Sequence, residues 1–313
     1  MTTSPAPRPG ARQNPLTGVL FFVGGLFLFA CMDTTVKYLV AHYPVPVVAA
    51  LRYIVHALLM VVLLAPTQGR AMLKTERTRW VLVRAACLAG ATFFMGLALQ
   101  RMPLAETTAI VFLSPLVVVL IAGPVLKEKV GPLDWTAALA GFLGIVLIAR
   151  PGGDLDPVGI AYALCAVGVM VGYQLLSRIL VTTERTVAML FYAAMFGSML
   201  FGITLPWFWE GPLPPWEHQL LFLLVGACGG MGHFLFTAAY HQTEASALAP
   251  LMYAQLLWAG LLGWLVFGHV PDSLSVLGMV VIAGCGVMVG VKQHLARRRL
   301  ARVEAEAELD TEP

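Results

Sequence analysis

Residues 101–152 read RMPLAETTAIVFLSPLVVVLIAGPVLKEKVGPLDWTAALAGFLGIVLIARPG. Two apolar segments, 104–126 and 133–150, are separated in this stretch by the short polar turn KEKVGP. A transmembrane helix needs about 20 consecutive apolar residues, so each segment is close to the length that crosses a bilayer. Hydrophobic residues make up 59% of the 313 and charged residues only 12%, a composition that argues against a water-soluble fold.

The same pattern continues over the chain from Leu16 to Val291, with proline and glycine at most of the joins. The predicted spans are 16–41, 45–65, 79–100, 104–126, 133–150, 157–179, 186–206, 218–240, 245–267 and 272–291. They fall into two blocks of five, 16–150 and 157–291, joined by an outer linker at 151–156. An odd number of crossings per block makes the second block enter from the opposite side. We therefore expect an all-α membrane protein of ten transmembrane helices, built as two inverted five-helix repeats.

The distribution of Lys and Arg predicts the orientation. Fifteen of the 20 fall in the tails and loops on one side, and only Arg101 and Arg150 fall in loops on the other. Positive residues concentrate in cytoplasmic loops, so both termini are expected in the cytoplasm of a bacterial inner membrane. The polar residues 1–15 are expected to be a disordered tail without a cleavable signal, and 292–313 a charged tail.

Ionisable side chains inside the spans are the first candidates for function, because each costs about 2.5–3.5 kcal/mol to insert. Asp33 and Arg52 are predicted at similar depth and could form an ion pair. Such a pair could lock the first two helices together, or it could open to bind a charged substrate or a proton. His56 follows Arg52 by one helical turn. Arg84 lies near the end of its span, where we expect it to snorkel to the membrane surface.

The ninth span supplies further candidate substrate-binding residues, Tyr253, Gln255 and Trp258, which offer aromatic and hydrogen-bonding surface. Packing between helices is the alternative role for each of them. Four accessory candidates are Lys37, Glu106, Ser114 and His233. Lys37 is expected to snorkel outward, with Glu106 as a possible partner. The Ser114-Pro115 pair is expected to interrupt the fourth helix.

The sequence contains no motif that points to an enzyme, such as HExxH, GxSxG or a glycine-rich phosphate loop. The five cysteines lie within spans at spacings that favour neither a metal site nor a disulfide, so no cofactor is expected. An integral-membrane enzyme, a channel and a sensor remain as alternatives to a carrier.

Three stretches resemble the drug/metabolite transporter superfamily in its EamA-type branch of ten helices. They are 101–152, YAQLLWAGLLGWLVFGHVPDSLSVLG at 253–278, and FACMDTTVKYL at 29–39 with LRY at 51–53. The last stretch is similar to a subset assigned to riboflavin, S-adenosylmethionine or metallophore-type substrates. His269 departs from the family pattern, which tends to have an acidic residue there.

The resemblance and the spans together predict a secondary transporter of a small organic metabolite. Its expected mechanism is alternating access through a central cavity between the repeats. The expected partners are the substrate and the lipid bilayer, without nucleic acid, and the expected state is a monomer or a homodimer. Substrate identity, direction and energy coupling stay open at this point.

Overall fold

The computed structural model describes residues 15–126, 131–150, 154–209, 211–242 and 248–309. Within these ranges the chain is helical and has no β-strand, which confirms the all-α prediction. The helices are α1 Pro15–Val40, α2 Val45–Gln68, α3 Thr78–Arg101, α4 Leu104–Val111, α5 Ser114–Leu126, α6 Pro132–Ile148, α7 Pro157–Leu180, α8 Thr186–Gly202, α9 Leu205–Phe208, α10 Trp216–Gln242, α11 Ala254–Phe267 and α12 Ser273–Leu309. Short 3₁₀ helices occupy Gly69–Leu73 and Ala249–Tyr253.

Among the described residues, six helices are long and apolar enough to cross a membrane, namely α1, α2, α3, α7, α10 and α12. Four shorter apolar segments cover Leu104–Val118, Trp135–Ile148, Thr186–Gly202 and Leu251–Phe267. Large apolar side chains such as Leu139 and Leu257 point outward, as expected for a surface that faces lipid. The chain is therefore a multi-pass membrane protein.

Two of the shorter segments contain irregular backbone. In the fourth predicted span α4 ends at Val111 and α5 begins at Ser114, which confirms the predicted interruption. Pro115 is the second residue of α5. Backbone N–H groups in the first turn of a helix have no acceptor within that helix, so a proline at this position loses no helical hydrogen bond. In the ninth span the 3₁₀ helix passes directly into α11 at Ala254. The two irregular sites touch, since the Phe112 and Tyr253 ring centroids are 5.6 Å apart.

The main helix contacts join residues before position 150 to residues after position 157. Helix α1 packs on α10, α3 on α7, α2 on α8 and α6 on α12. At the last of these crossings Gly144 and Gly278 let the two backbones approach closely. A Cβ added at Gly278 would lie 2.5 Å from the Gly144 carbonyl oxygen, so this position has no room for a side chain.

The structure also describes part of the predicted tails and of the linker. Helix α12 runs without a break from Ser273 to Leu309, so most of the predicted charged tail is helical. The predicted disordered tail lies almost entirely outside the described residues, and so do positions 151–153 of the linker. The last linker residue, Asp156, caps α7, because its Oδ1 accepts a hydrogen bond from the Val158 N–H at 2.8 Å.

Candidate functional site

Asp33 on α1 faces the second block of the chain rather than its neighbour α2. Its Oδ2 accepts a hydrogen bond from Gln255 Nε2 at 3.3 Å. The predicted ion pair with Arg52 is wrong: within the described ranges no guanidinium nitrogen of Arg52 lies within 4.0 Å of the carboxylate. The reason is the packing, since α1 is covered mainly by α10 and α11 and touches α2 little.

Arg52 is held by its own helix and by α3. Its Nη1 donates to Thr92 Oγ1 at 3.4 Å, and its guanidinium carbon lies 5.3 Å from the Tyr53 ring centroid. The Nε atom is buried and has no hydrogen-bond partner in the described part of the chain. A buried donor without a partner is costly, so this N–H is available to an acceptor that enters the site.

The structure brings together His56 and His233, which are far apart in the chain. Their rings are nearly parallel at 12°, with centroids 5.6 Å apart. The edge of Phe29 packs against His233 at 4.9 Å. Because Arg52 precedes His56 by one turn of α2, the two imidazoles and the guanidinium lie in one polar region inside the bundle.

Of the ninth-span candidates, Tyr253 and Trp258 pack against aromatic rings of the first block. Tyr253 is buried against Phe112, and Trp258 lies edge-on to Phe27 with centroids 5.0 Å apart. The Trp258 indole N–H is buried and, within the described residues, has no acceptor. It is therefore a second unused donor, after Arg52 Nε.

Ser114 forms a contact that the sequence analysis missed. Its Oγ accepts a hydrogen bond from Gln174 Nε2 of α7 at 3.0 Å. Gln174 was overlooked because a single amide in an apolar span is usually a packing residue. The available signal was its place in the repeat, since it follows Asp33 at the interval that separates the two blocks.

Lys37 and Glu106 do not pair with each other; among the residues described, their charged atoms are more than 4.0 Å apart. Lys37 Nζ donates to the carbonyls of Leu99 at 3.0 Å and Met102 at 2.7 Å, at the C-terminal end of α3. A cation is favourable at that end of a helix. The buried Glu106 instead pairs through Oε1 with His269 Nε2 at 2.8 Å. The residue that departs from the family pattern thus joins the two blocks.

Arg84 does not snorkel, and that prediction is wrong. The side chain is only 5% exposed. Its Nε donates to Ser177 Oγ at 2.7 Å, its Nη2 to Tyr173 Oη at 2.8 Å and its Nη1 to the Met189 carbonyl at 3.2 Å. The guanidinium also stacks on Tyr173 at 4.4 Å. Because α3 packs closely on α7, these groups satisfy the charge locally and the side chain need not reach the membrane surface.

The two arginines of the predicted outer loops both form ion pairs with aspartates that directly precede helices of the second block. Arg101 pairs with Asp156 at 2.7 Å, and Arg150 pairs with Asp272 at 3.0 Å. The Ser275 N–H and Arg150 lower the pKa of Asp272 to about 2. The hydrogen bond from Arg101 and that from the Val158 N–H lower the pKa of Asp156. Both carboxylates are therefore charged at neutral pH.

The opposite end of the bundle is held by Glu184, which is only 6% exposed and lies between α7 and α8. Its carboxylate accepts hydrogen bonds from the backbone N–H groups of Glu76 and Arg77, at 3.0 and 2.5 Å, just before α3. A carboxylate in front of a helix N-terminus is favourable. This contact also crosses between the blocks.

Two cavities illustrate the open space in the described part of the chain. A void of about 10 Å³ lies beside Arg52 and Thr92, enough for about one water. A cavity of about 200 Å³ lies at one end, lined by His42, Tyr43, Pro44, Val47, Phe208, Trp209 and Pro212. No group of three or more His, Cys, Asp or Glu side chains in the described ranges is placed to hold a metal ion.

Comparison with known proteins gives a match over most of the chain. The model of the EamA-like transporter family matches twice, at residues 16–150 and at 157–290. A solved crystal structure covers 90% of this chain and is itself covered to 98%, with a TM-score of 0.63 at 20% identity. That likeness supports the fold alone.

Three curated relatives are similar over nearly their whole lengths. A riboflavin transporter from Vibrio cholerae is 28% identical over 286 residues, which are 87% of this chain and 92% of that protein. An S-adenosylmethionine uptake transporter from Rickettsia prowazekii is 26% identical over 278 residues, 87% and 92% of the two chains. A pseudopaline exporter from Pseudomonas aeruginosa is 25% identical over 273 residues, 85% and 93%.

These relatives are transporters and not enzymes, and the apolar helices described above agree with that function. The chain is accordingly a membrane transporter. With both halves of the molecule matched by one family model, this chain belongs to the EamA-like transporter family.

Proposed function

We propose that this chain is a secondary transporter that moves a small organic metabolite by alternating access between two inverted five-helix repeats, 16–150 and 157–291. The helix packing carries this proposal. If the two blocks correspond helix by helix, α1 matches α7, α2 matches α8, α3 matches α10 and α6 matches α12. The counterpart of the α1–α10 contact is then α7–α3, which is also present, and the α2–α8 and α6–α12 contacts each join a helix to its own counterpart. This exchange symmetry is expected of two repeats related by a pseudo-two-fold axis.

Contacts between the blocks at both ends of the bundle support alternating access. One end is joined by the Arg150–Asp272 ion pair and by the pair of Arg101 with Asp156, the cap of α7. The other end is joined by Glu184 with the backbone before α3. The void of about 10 Å³ beside Arg52 is too small for a metabolite. Opening either end would require a rigid-body movement that breaks one set of contacts and keeps the other.

The proposed substrate site comprises Asp33, Arg52, His56, Tyr253, Gln255 and Trp258. Two of its donors, Arg52 Nε and Trp258 Nε1, have no acceptor within the described residues. Together with the Asp33 carboxylate and the stacked rings of His56 and His233, they favour an amphipathic, aromatic or zwitterionic compound. Riboflavin and S-adenosylmethionine, named for two relatives, are the first substrates to test.

We propose further that the protein lies in the bacterial inner membrane as a monomer or a homodimer, with both termini in the cytoplasm. The unequal division of Lys and Arg between the two sides supports this orientation. Asp33 is the acid predicted deepest in a span, so proton coupling would act through it. A transport rate that does not change when a pH gradient is imposed across the membrane would exclude proton coupling.

Counterflow in proteoliposomes tests the proposed function. Vesicles loaded with unlabelled riboflavin or S-adenosylmethionine should take up the labelled compound transiently and with saturation. Flux of both compounds that rises linearly with concentration, or no flux of either, would contradict a carrier for these substrates. In the same assay Asp33→Asn should lose transport, whereas Asp154→Asn, an exposed control, should keep it. Normal yield and normal transport by Asp33→Asn would remove Asp33 from the mechanism.

A further inference from the structure

The hydrogen bond between Asp33 and Gln255 has a counterpart elsewhere in the molecule. Gln174 follows Asp33 by 141 positions, and Gln255 follows Ser114 by the same interval. The two matches of the family model, which start at 16 and 157, have this spacing as well. Gln174 therefore occupies in the second block the position that Asp33 occupies in the first, and Ser114 corresponds to Gln255 in the same way. The Gln174–Ser114 hydrogen bond is thus the symmetry counterpart of the Asp33–Gln255 hydrogen bond.

Both bonds lie at the irregular backbone sites. Ser114 is the first residue of α5 after the interruption, and Gln255 is the second residue of α11 after the 3₁₀ turn. Phe112 and Tyr253, two residues before Ser114 and Gln255, are in ring contact at 5.6 Å. Each hydrogen bond thus involves a residue two positions after one member of this contacting aromatic pair.

Both bonds leave hydrogen-bonding capacity unused. Asp33 accepts with Oδ2 only, and Gln174 donates to Ser114 while its own Oε1 has no partner in the described part of the chain. Neither oxygen is among the fully buried polar atoms that lack a partner in the described residues, so each keeps some accessible surface. A mostly buried polar group without a partner gains free energy when a ligand supplies one.

We propose that Gln174 is a second ligand-binding residue, and that the substrate lies between the Asp33 carboxylate and the Gln174 amide. This inference rests on the transport function proposed above. The two ends of the site differ in charge, because the first block has a carboxylate where the second has a neutral amide. The ligand class is therefore a compound with a cationic group at one end and a neutral amide, imide or hydroxyl group at the other.

Exchanging the two side chains tests the inference. Asp33→Gln should abolish transport of labelled riboflavin or S-adenosylmethionine, and adding Gln174→Asp should restore it, because the carboxylate returns to an equivalent position in the site. Gln174→Ala alone should raise KM by about tenfold, the effect of one hydrogen bond of about 1.4 kcal/mol. The control for the exchange is Asp33→Gln with Gln100→Asp. Gln100 donates to the Val40 carbonyl at 2.8 Å, away from the site, so its replacement should restore nothing.

A labelling experiment gives a readout that does not depend on the choice of substrate. Dicyclohexylcarbodiimide modifies carboxyl groups in apolar membrane sites, and mass spectrometry locates the modified residue. The label should appear at position 33 in the wild type and at position 174 in the exchanged variant, with both proteins monodisperse on size exclusion. An unlabelled position 174 in the folded variant, or an unlabelled Asp33, would overturn the inference. Absent transport of either compound by the wild type, with the expected labelling of both proteins, would instead count against the proposed function alone.

Discussion

Arg84 shows how a charged side chain can be kept inside the bilayer without a carboxylate. Three of its nitrogens donate to Ser177, Tyr173 and a backbone carbonyl, and its flat face lies on the Tyr173 ring. The planar guanidinium can make these contacts together, which a lysine ammonium cannot. Arg84 therefore holds α3 of the first block against α7 and α8 of the second.

We predict that Arg84→Ala lowers the free energy of unfolding by on the order of 3 kcal/mol, because several hydrogen bonds to a charged group are lost. Arg84→Lys should recover only part of this loss. The measurement is denaturant or thermal unfolding of the purified protein in detergent. The control is Arg79→Ala, an exposed arginine on the same helix, which should change stability by less than about 0.5 kcal/mol. Equal effects of the two alanine variants would show that Arg84 contributes no more than a surface charge.

At the residue scale the sequence selected polar side chains within the spans but did not predict which groups they contact. Asp33, His56, Gln255 and His233 were selected because polar groups are costly in a span. Their partners depend on how each helix is rotated toward its neighbours, and the pattern of one uniformly apolar helix does not specify that rotation. Arg84 was misjudged for this reason, since nothing in its own span indicates a tyrosine hydroxyl on α7.

At the scale of elements, local chemistry predicted one irregular site well. Ser114-Pro115 indicated the interruption between α4 and α5, because proline lacks the N–H that a continuous helix uses. The 3₁₀ turn before α11 was not predicted, although Pro250 lies within it. A proline is tolerated in the first turn of a helix, so its position alone does not distinguish a 3₁₀ turn from an ordinary helix start.

The crossing of α6 and α12 yields a prediction for Gly278. Gly278→Ala should lower the free energy of unfolding by about 1–3 kcal/mol, because the new Cβ would meet the Gly144 carbonyl oxygen and force the helices apart. Unfolding in detergent measures this loss. Gly284→Ala on the same helix is the matched control, since a Cβ there meets no atom within 4 Å. That variant should be neutral or stabilising by up to about 1 kcal/mol through helix propensity. The prediction fails if both variants unfold alike.

At the scale of the whole molecule, the hydropathy pattern predicted an all-helical membrane protein, whereas it gave no indication of the contacts between distant helices. Arg101 and Arg150 were recognised only as the two positive charges on the sparsely charged side. The structure shows that Arg101 pairs with Asp156, the linker residue that caps α7, and that Arg150 pairs with Asp272 of the second block. A pairing between residues more than 50 positions apart depends on the assembled bundle, and a single sequence does not report it.

A crosslink at one of these pairs should stop transport if the blocks must separate there. We expect a short bis-maleimide to link Arg150→Cys and Asp272→Cys, in a background in which the five native cysteines are alanine, and to abolish counterflow in the linked fraction. Each single cysteine variant, treated identically, should keep its activity. Undiminished counterflow by the linked protein would exclude opening at this end of the bundle.

The 37-residue helix α12 has a mechanical consequence for the molecule. At about 1.5 Å per residue, its part after Lys292 projects roughly 25 Å beyond the apolar span as one rigid rod. Such a rod acts as a lever arm, since a small tilt of the second block becomes a wide sweep at Leu309. Under the proposed alternating access, a fluorophore or spin label on this tip would therefore report a small tilt of the second block as a large displacement, and a bulky fusion attached there would slow that movement.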